Sequence, residues 1–170
     1  MKLLVLSDSH RYLDNARNVI KKIGNKMHCV IHLGDHEDDA KELELEFPKL
    51  AFYYIKGNND FGGNAPFEQM LTFEGKKFLL THGHRQQVHW GYTNIYYWAK
   101  EKGADAVLFG HTHMPCNEKQ EEMLLFNPGS ISLPRSTDNP TFGIIEIADD
   151  GIIRGSIMEY HKKKSFKIIG

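Results

Sequence analysis

Lys2-Leu3-Leu4-Val5-Leu6-Ser7-Asp8-Ser9-His10 opens the chain with an apolar run of strand length that stops abruptly at Asp-x-His. A short apolar run bounded by polar turn residues reads as a strand buried on both faces. In open α/β sheets, ligand chemistry collects beyond the carboxyl ends of such strands. Side chains alternate along extended backbone, so a carboxylate and an imidazole two residues apart there point the same way. Asp-x-His alone carries little, since its ordinary reading is a strand-end cap beside a surface histidine. Its weight depends on whether other strands end alike.

Four others do. The apolar run at residues 28–33 ends in Gly34-Asp35, and that at 51–55 in Gly57-Asn58-Asn59-Asp60. The run at 77–81 ends in His82-Gly83-His84, and that at 105–109 in Gly110-His111-Thr112-His113. Together the five ends offer two aspartates (Asp8, Asp35), one asparagine (Asn58) and four histidines (His10, His82, His111, His113), all nitrogen or oxygen donors with no thiolate. Seven ligands exceed what one ion takes, whereas two divalent ions sharing one carboxylate fit the count. Asp35, alone on its loop, is the natural bridge. Such ion pairs serve in-line phosphoryl displacement. Any one of these histidines taken singly would be structural or superficial; their recurrence at successive strand ends makes the metal reading the stronger. His28 and His32 lie inside an apolar run and read as hydrogen-bonded core, and His161 belongs to the basic C-terminal end. His36 and His89 stay open. His84, two residues from His82, is the candidate for substrate contact or proton transfer.

Between the strand ends, residues 14–23 read as a helix. Asp14 is its expected N-cap, Ala16, Val19, Ile20 and Ile23 its buried face, and Gly24 its stop. A second helix is expected at 38–47, closed by Pro48. Three β-α-β steps of this kind predict a largely parallel sheet with right-handed crossovers. Residues 70–73 and 77–81 flank Glu74-Gly75-Lys76 as a hairpin. Residues 92–102 form an aromatic helix whose buried stripe is Ile95, Trp98 and Ala99. Strands are expected at 123–126, 141–148 and 151–159, and these later hairpins suggest a second, mixed or antiparallel sheet packed on the first.

Length and charge bound the rest. A chain of 170 residues suits one domain, taken as residues 1–170. A formal net charge of −1 supplies no global basic field, so no stable nucleic-acid complex is expected, although a nucleotide-derived substrate fits a local site. No apolar run is long enough to cross a membrane, and no secretory segment is expected. Cys29 and Cys116 are too few for a disulfide framework and read as small buried hydrophobes in a reducing cytoplasm. Self-association into a homo-oligomer stays open.

The order D-x-H, G-D, G-N-x-D, H-G-H, G-H-x-H across Asp8 to His113 resembles the calcineurin-like metallophosphoesterases. The small YfcE-like and YsnB-like phosphodiesterase branch is the nearest likeness, through Gly57–Asp60, Thr81–His84, Gly110–His113 and the Asn-Pro-Gly-Ser at residues 127–130. The resemblance implies an α/β fold, a four-layer α/β/β/α sandwich of two mixed sheets flanked by helices. It implies that Asp8, His10 and His113 hold one ion, Asn58, His82 and His111 the other, and Asp35 both. It implies two divalent ions, manganese first, with zinc, iron, nickel or cobalt as alternatives. The implied reaction is hydrolysis of a small phosphate ester, a phosphodiester above all, by a metal-bound hydroxide. Two ions, two aspartates and a hydroxide sum to about +1, which suits an anionic diester. One departure stands out: many larger members carry His where this chain has Asn59, which donates a hydrogen bond but supplies no proton at neutral pH. Asn59 is thus expected to contact substrate, leaving the general acid open. Asp60 is expected to orient a ligand or loop. The alternatives are a phosphomonoesterase or nucleotide phosphatase, and a non-catalytic protein-binding scaffold like the retromer subunit of the same fold. The Asn127–Ser130 stretch and Arg135 read equally as phosphate contacts or as a rigid turn with a surface salt bridge, and Lys162-Lys163-Lys164 as a solvated end.

Overall fold

The computed structural model describes residues 1–162 and 166–169, so Lys163 and Lys164 of the basic run lie outside the described residues. The first sheet is laid down by β1 (Lys2–Leu6), β2 (Cys29–His32) and β3 (Ala51–Tyr54), joined by α1 (Asp14–Ile23) and α2 (Glu37–Glu46). These three strands run parallel, with Leu3 beside Cys29 and Cys29 beside Ala51. The second sheet begins with the hairpin β4 (Glu68–Phe73) and β5 (Lys76–Thr81), then continues through α3 (Thr93–Glu101), β6 (Ala106–Leu108), β7 (Cys116–Gln120) and β8 (Met123–Asn127). Its order is β4-β5-β6-β8-β7, with β5, β6 and β8 parallel. The last strands are β9 (Thr141–Ile147), β10 (Ile153–Glu159) and β11 (Lys167–Ile169).

The expectation that the late hairpins build the second sheet is half right. β7 and β8 join it, but β9 and β10 return to the first, whose order is β11-β10-β9-β1-β2-β3. β9 pairs antiparallel with β1, Leu3 opposite Ile145, which places β1 centrally and makes this sheet mixed. Only two of the three β-α-β steps expected over the first three strands exist, β1-α1-β2 and β2-α2-β3, because the chain leaves this sheet after β3; a further step, β5-α3-β6, lies in the other sheet.

The alternation within β1 decides the layering. Leu3 and Val5 point into the space between the sheets, where they meet Ile31, Phe78, Leu80, Phe126 and Ile145. Leu4 and Leu6 point the other way, against Ala16, Val19 and Ile20 of α1 and Leu43 of α2. On the far side Leu79, Val107 and Leu125 meet Ile95 and Ala99 of α3. The layers therefore run α/β/β/α. Each fully buried Leu or Val contributes about 1.5–3 kcal/mol of transfer free energy, so β1, apolar on both faces, is the strand on which both inner contacts depend.

Local expectations fail where the signal is weakest. Asp14 is the first helical residue, not the cap; Leu13 occupies that position without a side-chain capping bond, and Asp14 sits at the positive end of the helix dipole beside Arg17. Gly24 is right-handed and leads into one 3-10 turn (Gly24–Lys26), so it continues the coil that it was expected to stop. His28 is exposed, its ring edge-on to Phe73 with centroids 6.0 Å apart, because it precedes the first buried position of β2. In α3, Tyr96 is buried and Trp98 only half-buried. β7 shows no apolar pattern because it is an edge strand with four exposed residues after Cys116. No helix among the described residues is long and apolar enough to cross a membrane.

Candidate metal centre

The parallel strands β1, β2 and β3 of one sheet and β5 and β6 of the other all end at the same edge of the sandwich, and the five polar stretches follow them there. The chain turns in left-handed backbone at these ends: Asp8 (φ 54°), His10 (46°), Asp35 (52°), His111 (70°) and His113 (59°) all have positive φ. Each such residue costs about 1–2 kcal/mol relative to a right-handed one. Five of the seven nominated ligands thus share a disfavoured conformation that surrounding bonds must hold.

Two groups of donors result. Asp8, His10 and His113 form one; Asp8, Asp35 and His82 form the other. In the first, His10 Nε2 lies 3.1 Å from His113 Nε2 and 3.9 Å from Asp8 Oδ1, and His113 Nε2 lies 3.3 Å from Asp8 Oδ1. In the second, His82 Nε2 is 3.4 Å from Asp35 Oδ1, 3.9 Å from Asp8 Oδ1 and 3.1 Å from Asn58 Oδ1. Asp35 faces both: its Oδ2 is 3.7 Å from His10 Nε2. The ring of His111 stands 5.1 Å from that of His82. Every nominated ligand is therefore at this edge, with Asn58 exposed at the rim and Asp8 and His82 fully buried.

The orientation of each donor has a cause. Asp8 Oδ2 accepts from the Ser7 hydroxyl (2.6 Å) and the His111 backbone N–H (3.0 Å). Its Oδ1, buried and without a hydrogen-bond partner, is left facing three imidazoles. His82 Nδ1 and His113 Nδ1 each lie 2.7 Å from a backbone carbonyl, of Leu33 and Leu133. A proton on Nδ1 bonds to that carbonyl and turns the Nε2 lone pair into the site. An orphaned carboxylate oxygen, two imidazole nitrogens facing each other and an all-N/O donor set are what divalent cations complete, so the residues present fit two ions.

Burial works to raise the Asp8 pKa, but His113 and His82 beside it and the Ser7 hydroxyl outweigh burial and hold it below the usual carboxylate range. Asp35 is also lowered: burial opposes, while His82 and the two Asn59 donors prevail. Burial, then the charges of His82 and His89, depress His111 to about 4, leaving its ring neutral at pH 7.

Asn59 does not point at open space. Its backbone N–H and its side-chain amide donate to Asp35 Oδ1 (3.0 Å) and Oδ2 (2.7 Å). Asp60 ties loops together by accepting from the N–H groups of Glu37 (2.5 Å) and Gly57 (2.7 Å). His84 is half-buried, its ring 5.5 Å from His82, and its buried Nδ1 has no partner. The Asn127–Ser130 loop is buried and works from behind: Asn127 donates to Gly110 O (2.8 Å) and Thr112 Oγ1 (3.0 Å). Arg135 is exposed, bonded through its backbone to His113 O, and makes no ion pair among the described residues. The rigid-turn reading of this loop therefore stands, without the salt bridge.

Ser9 and Asp39 escaped the sequence reading, and His89, left open there, takes a place beside His111. Ser9 donates to Asp39 Oδ2 (2.6 Å), so the His32 Nε2 lying 3.0 Å from the same hydroxyl must be its donor, and Asp39 also accepts from the Arg11 N–H (2.8 Å). This buried brace spans the left-handed turn at His10 and Arg11. His89 lies edge-on to His111, ring centroids 4.4 Å apart. A polar residue between the Asp and His of the first motif was the one available signal.

Two sheets with helices outside, and a two-cluster acidic and histidine site on their shared edge, define a metallophosphoesterase architecture. The Calcineurin-like phosphoesterase superfamily domain matches residues 1–150, and the chain belongs to that superfamily. It is 37% identical over 151 residues to the probable metallophosphoesterase YsnB of Bacillus subtilis, covering 88% of this chain and 86% of that one. It is 29% identical over 162 residues to phosphodiesterase MJ0936 of Methanocaldococcus jannaschii, covering 86% of this chain and 93% of that one. The structure of Vps29 complexed with zinc from Entamoeba histolytica superposes with a TM-score of 0.78 over 99% of this chain and 97% of that one; at 23% identity, that likeness speaks to the fold alone.

Proposed function

We propose that the chain is a dimetal-dependent phosphodiesterase acting on a small phosphodiester, nucleotide-derived esters included, in the cytoplasm. The observation that carries this reading is Asp35, whose two oxygens face the two donor groups, 3.7 Å from His10 and 3.4 Å from His82. Asp8, His10 and His113 would hold one ion; Asn58, His82 and His111 the other; Asp35 would serve both. Bound divalent ions, manganese first and zinc, iron, nickel or cobalt as alternatives, would polarise the phosphoryl oxygens and lower the pKa of water.

The protein groups do the rest. The Leu33 and Leu133 carbonyls fix two imidazoles, and Ser7 and the His111 N–H fix Asp8, so little reorganisation accompanies reaction. Asn59, bonded to Asp35, orients that carboxylate in the ground state. His84 is held below the usual imidazole pKa, by burial first and then by His82 and Arg85, so it is neutral at pH 7 and offers an N–H to the departing oxygen. A substrate whose leaving group needs no strong acid suits such a site.

The scaffold alternative requires a degraded donor set, and here all seven positions carry competent donors. Asp35→Asn and His111→Ala test the reading: each should abolish hydrolysis of bis(4-nitrophenyl) phosphate with metal added while circular dichroism stays native. Full activity in both variants sinks it. A monoester run in parallel separates diesterase from phosphatase, and metal analysis of the purified protein separates enzyme from scaffold.

A further inference from the structure

The two rims of the site carry opposite charge. Beside Asp35 and Asn59 a cleft of about 190 Å³ sets Arg11 against Glu37, Asp38, Asp39 and Asp60. The rim beyond His82 and His111 is of the other sign. There the loop after β5 carries His84, Arg85 and His89, and His82, His84, Phe67, Arg85 and Lys56 form a connected row of side chains. His84 stands 5.5 Å from His82, Phe67 6.4 Å from His84, and the Arg85 guanidinium 3.6 Å over the Phe67 ring. Lys56 Nζ reaches the same ring at 5.5 Å while donating to Gly63 O. Among the described residues no carboxylate is in ion-pair contact with the Arg85 guanidinium, whereas Arg17, Lys41, Lys100 and Lys102 each find one.

The loop that presents Arg85 is firm. Val88 is buried against Gly83, the N–H groups of Gln86 and Val88 both bond to Gly83 O, and the Thr81 hydroxyl donates to Gln86 Oε1 (3.0 Å). The guanidinium lies against the Phe67 face, and among the described residues none of its N–H groups has a hydrogen-bond partner, an arrangement suited to bidentate recognition of a phosphate. A rigid, unpaired guanidinium beside a phosphodiester site has one obvious use, since it costs little to hold and gains most from a second anion.

We infer that Arg85, backed by Phe67 and Lys56, is a specificity determinant that binds a second phosphate on the substrate, so the preferred substrates are phosphodiesters bearing a further phosphate on one arm. This rests on the phosphodiesterase reading, and the test keeps the two apart. Hydrolysis of bis(4-nitrophenyl) phosphate, which has no second phosphate, is inhibited in parallel by thymidylyl-(3′→5′)-thymidine and by its 5′-phosphorylated form. In the wild type the phosphorylated dinucleotide should inhibit about fivefold more tightly. Arg85→Ala should bring the two inhibition constants within about twofold, and Arg85→Lys should keep part of the preference. Absence of preference in the wild type, or an unchanged ratio in Arg85→Ala, overturns the inference. Absence of reporter hydrolysis by the wild type with every metal overturns the phosphodiesterase reading itself.

Discussion

The Ser130 hydroxyl donates to the backbone carbonyl of Asp8 across 2.7 Å, joining residues 122 positions apart, and Ser132 adds a second bond of 2.9 Å to the same oxygen. Asp8 is therefore held through its main chain by the loop after β8 and through its side chain by Ser7 and the His111 N–H. A carboxylate gripped from both ends keeps a left-handed backbone that it would otherwise leave.

Removing that grip should loosen the centre before it unfolds the protein. Ser130→Ala deletes the buried bond to the Asp8 carbonyl, also depriving the Ser132 and Leu133 N–H groups of their acceptor, and should cost about 1–3 kcal/mol. For a chain of this size that is a fall in Tm of roughly 2–12 °C, read by thermal denaturation in the presence of chelator. An unchanged Tm would show that Ser132 alone suffices.

The brace of His32, Ser9 and Asp39 makes a separate claim. Ser9→Ala leaves the His32 donor without an acceptor and frees the turn that carries His10. Metal affinity should weaken by about 10–100-fold, the usual cost of losing support behind a ligand. Competition with a chromophoric chelator measures it. Wild-type affinity in both Ser9→Ala and Asp39→Asn would reduce the brace to ordinary core packing.

Gly57 offers a steric probe. A Cβ there would lie 2.0 Å from Asp35 Oδ1, and its φ is one that any residue adopts, so Gly57→Ala acts by contact and not by backbone strain. The Cβ would also lie 2.5 Å from the Asp35 backbone nitrogen, so the turn carrying Asp35 must shift together with its carboxylate. The expected result is loss of one ion per chain by elemental analysis, with secondary structure intact; two ions retained would mean that the carboxylate yields without cost.

Cys29 and Cys116 should be silent. Burial pushes both thiols up to about 12, so neither offers a thiolate at pH 8. A thiol reagent such as Ellman's should label neither in the native protein and both after denaturation. Rapid native labelling of either would show local opening of β2 or β7.

The site was more legible in the sequence than the sheet that carries it. Each strand end is a local signal, an apolar run followed by a donor, and five such signals could be added without knowing their order in space. Sheet membership is not local. β9 reads the same whether it joins β8 or β1, and only pairing of Leu3 with Ile145 decides. The exposed edge strand β7 has no burial pattern to read. His28 and His32 share one apolar run, yet one faces solvent and the other Ser9, since strand parity says nothing before the strand begins. The left-handed turns at Asp8, Asp35 and His111 were equally hidden, because Asp and His tolerate such backbone without announcing it.

The central place of β1 also bears on how the chain emerges from the ribosome. β1 to β3 can pair as soon as they are made, but the other edge of β1 waits for β9, about a hundred and forty residues later. Through most of synthesis that edge is an open template for foreign strands. Nascent chains stalled between β8 and β9 should therefore be the most dependent on a holding chaperone, and the metal-binding edge can close only after the loop bearing Ser130 has been delivered.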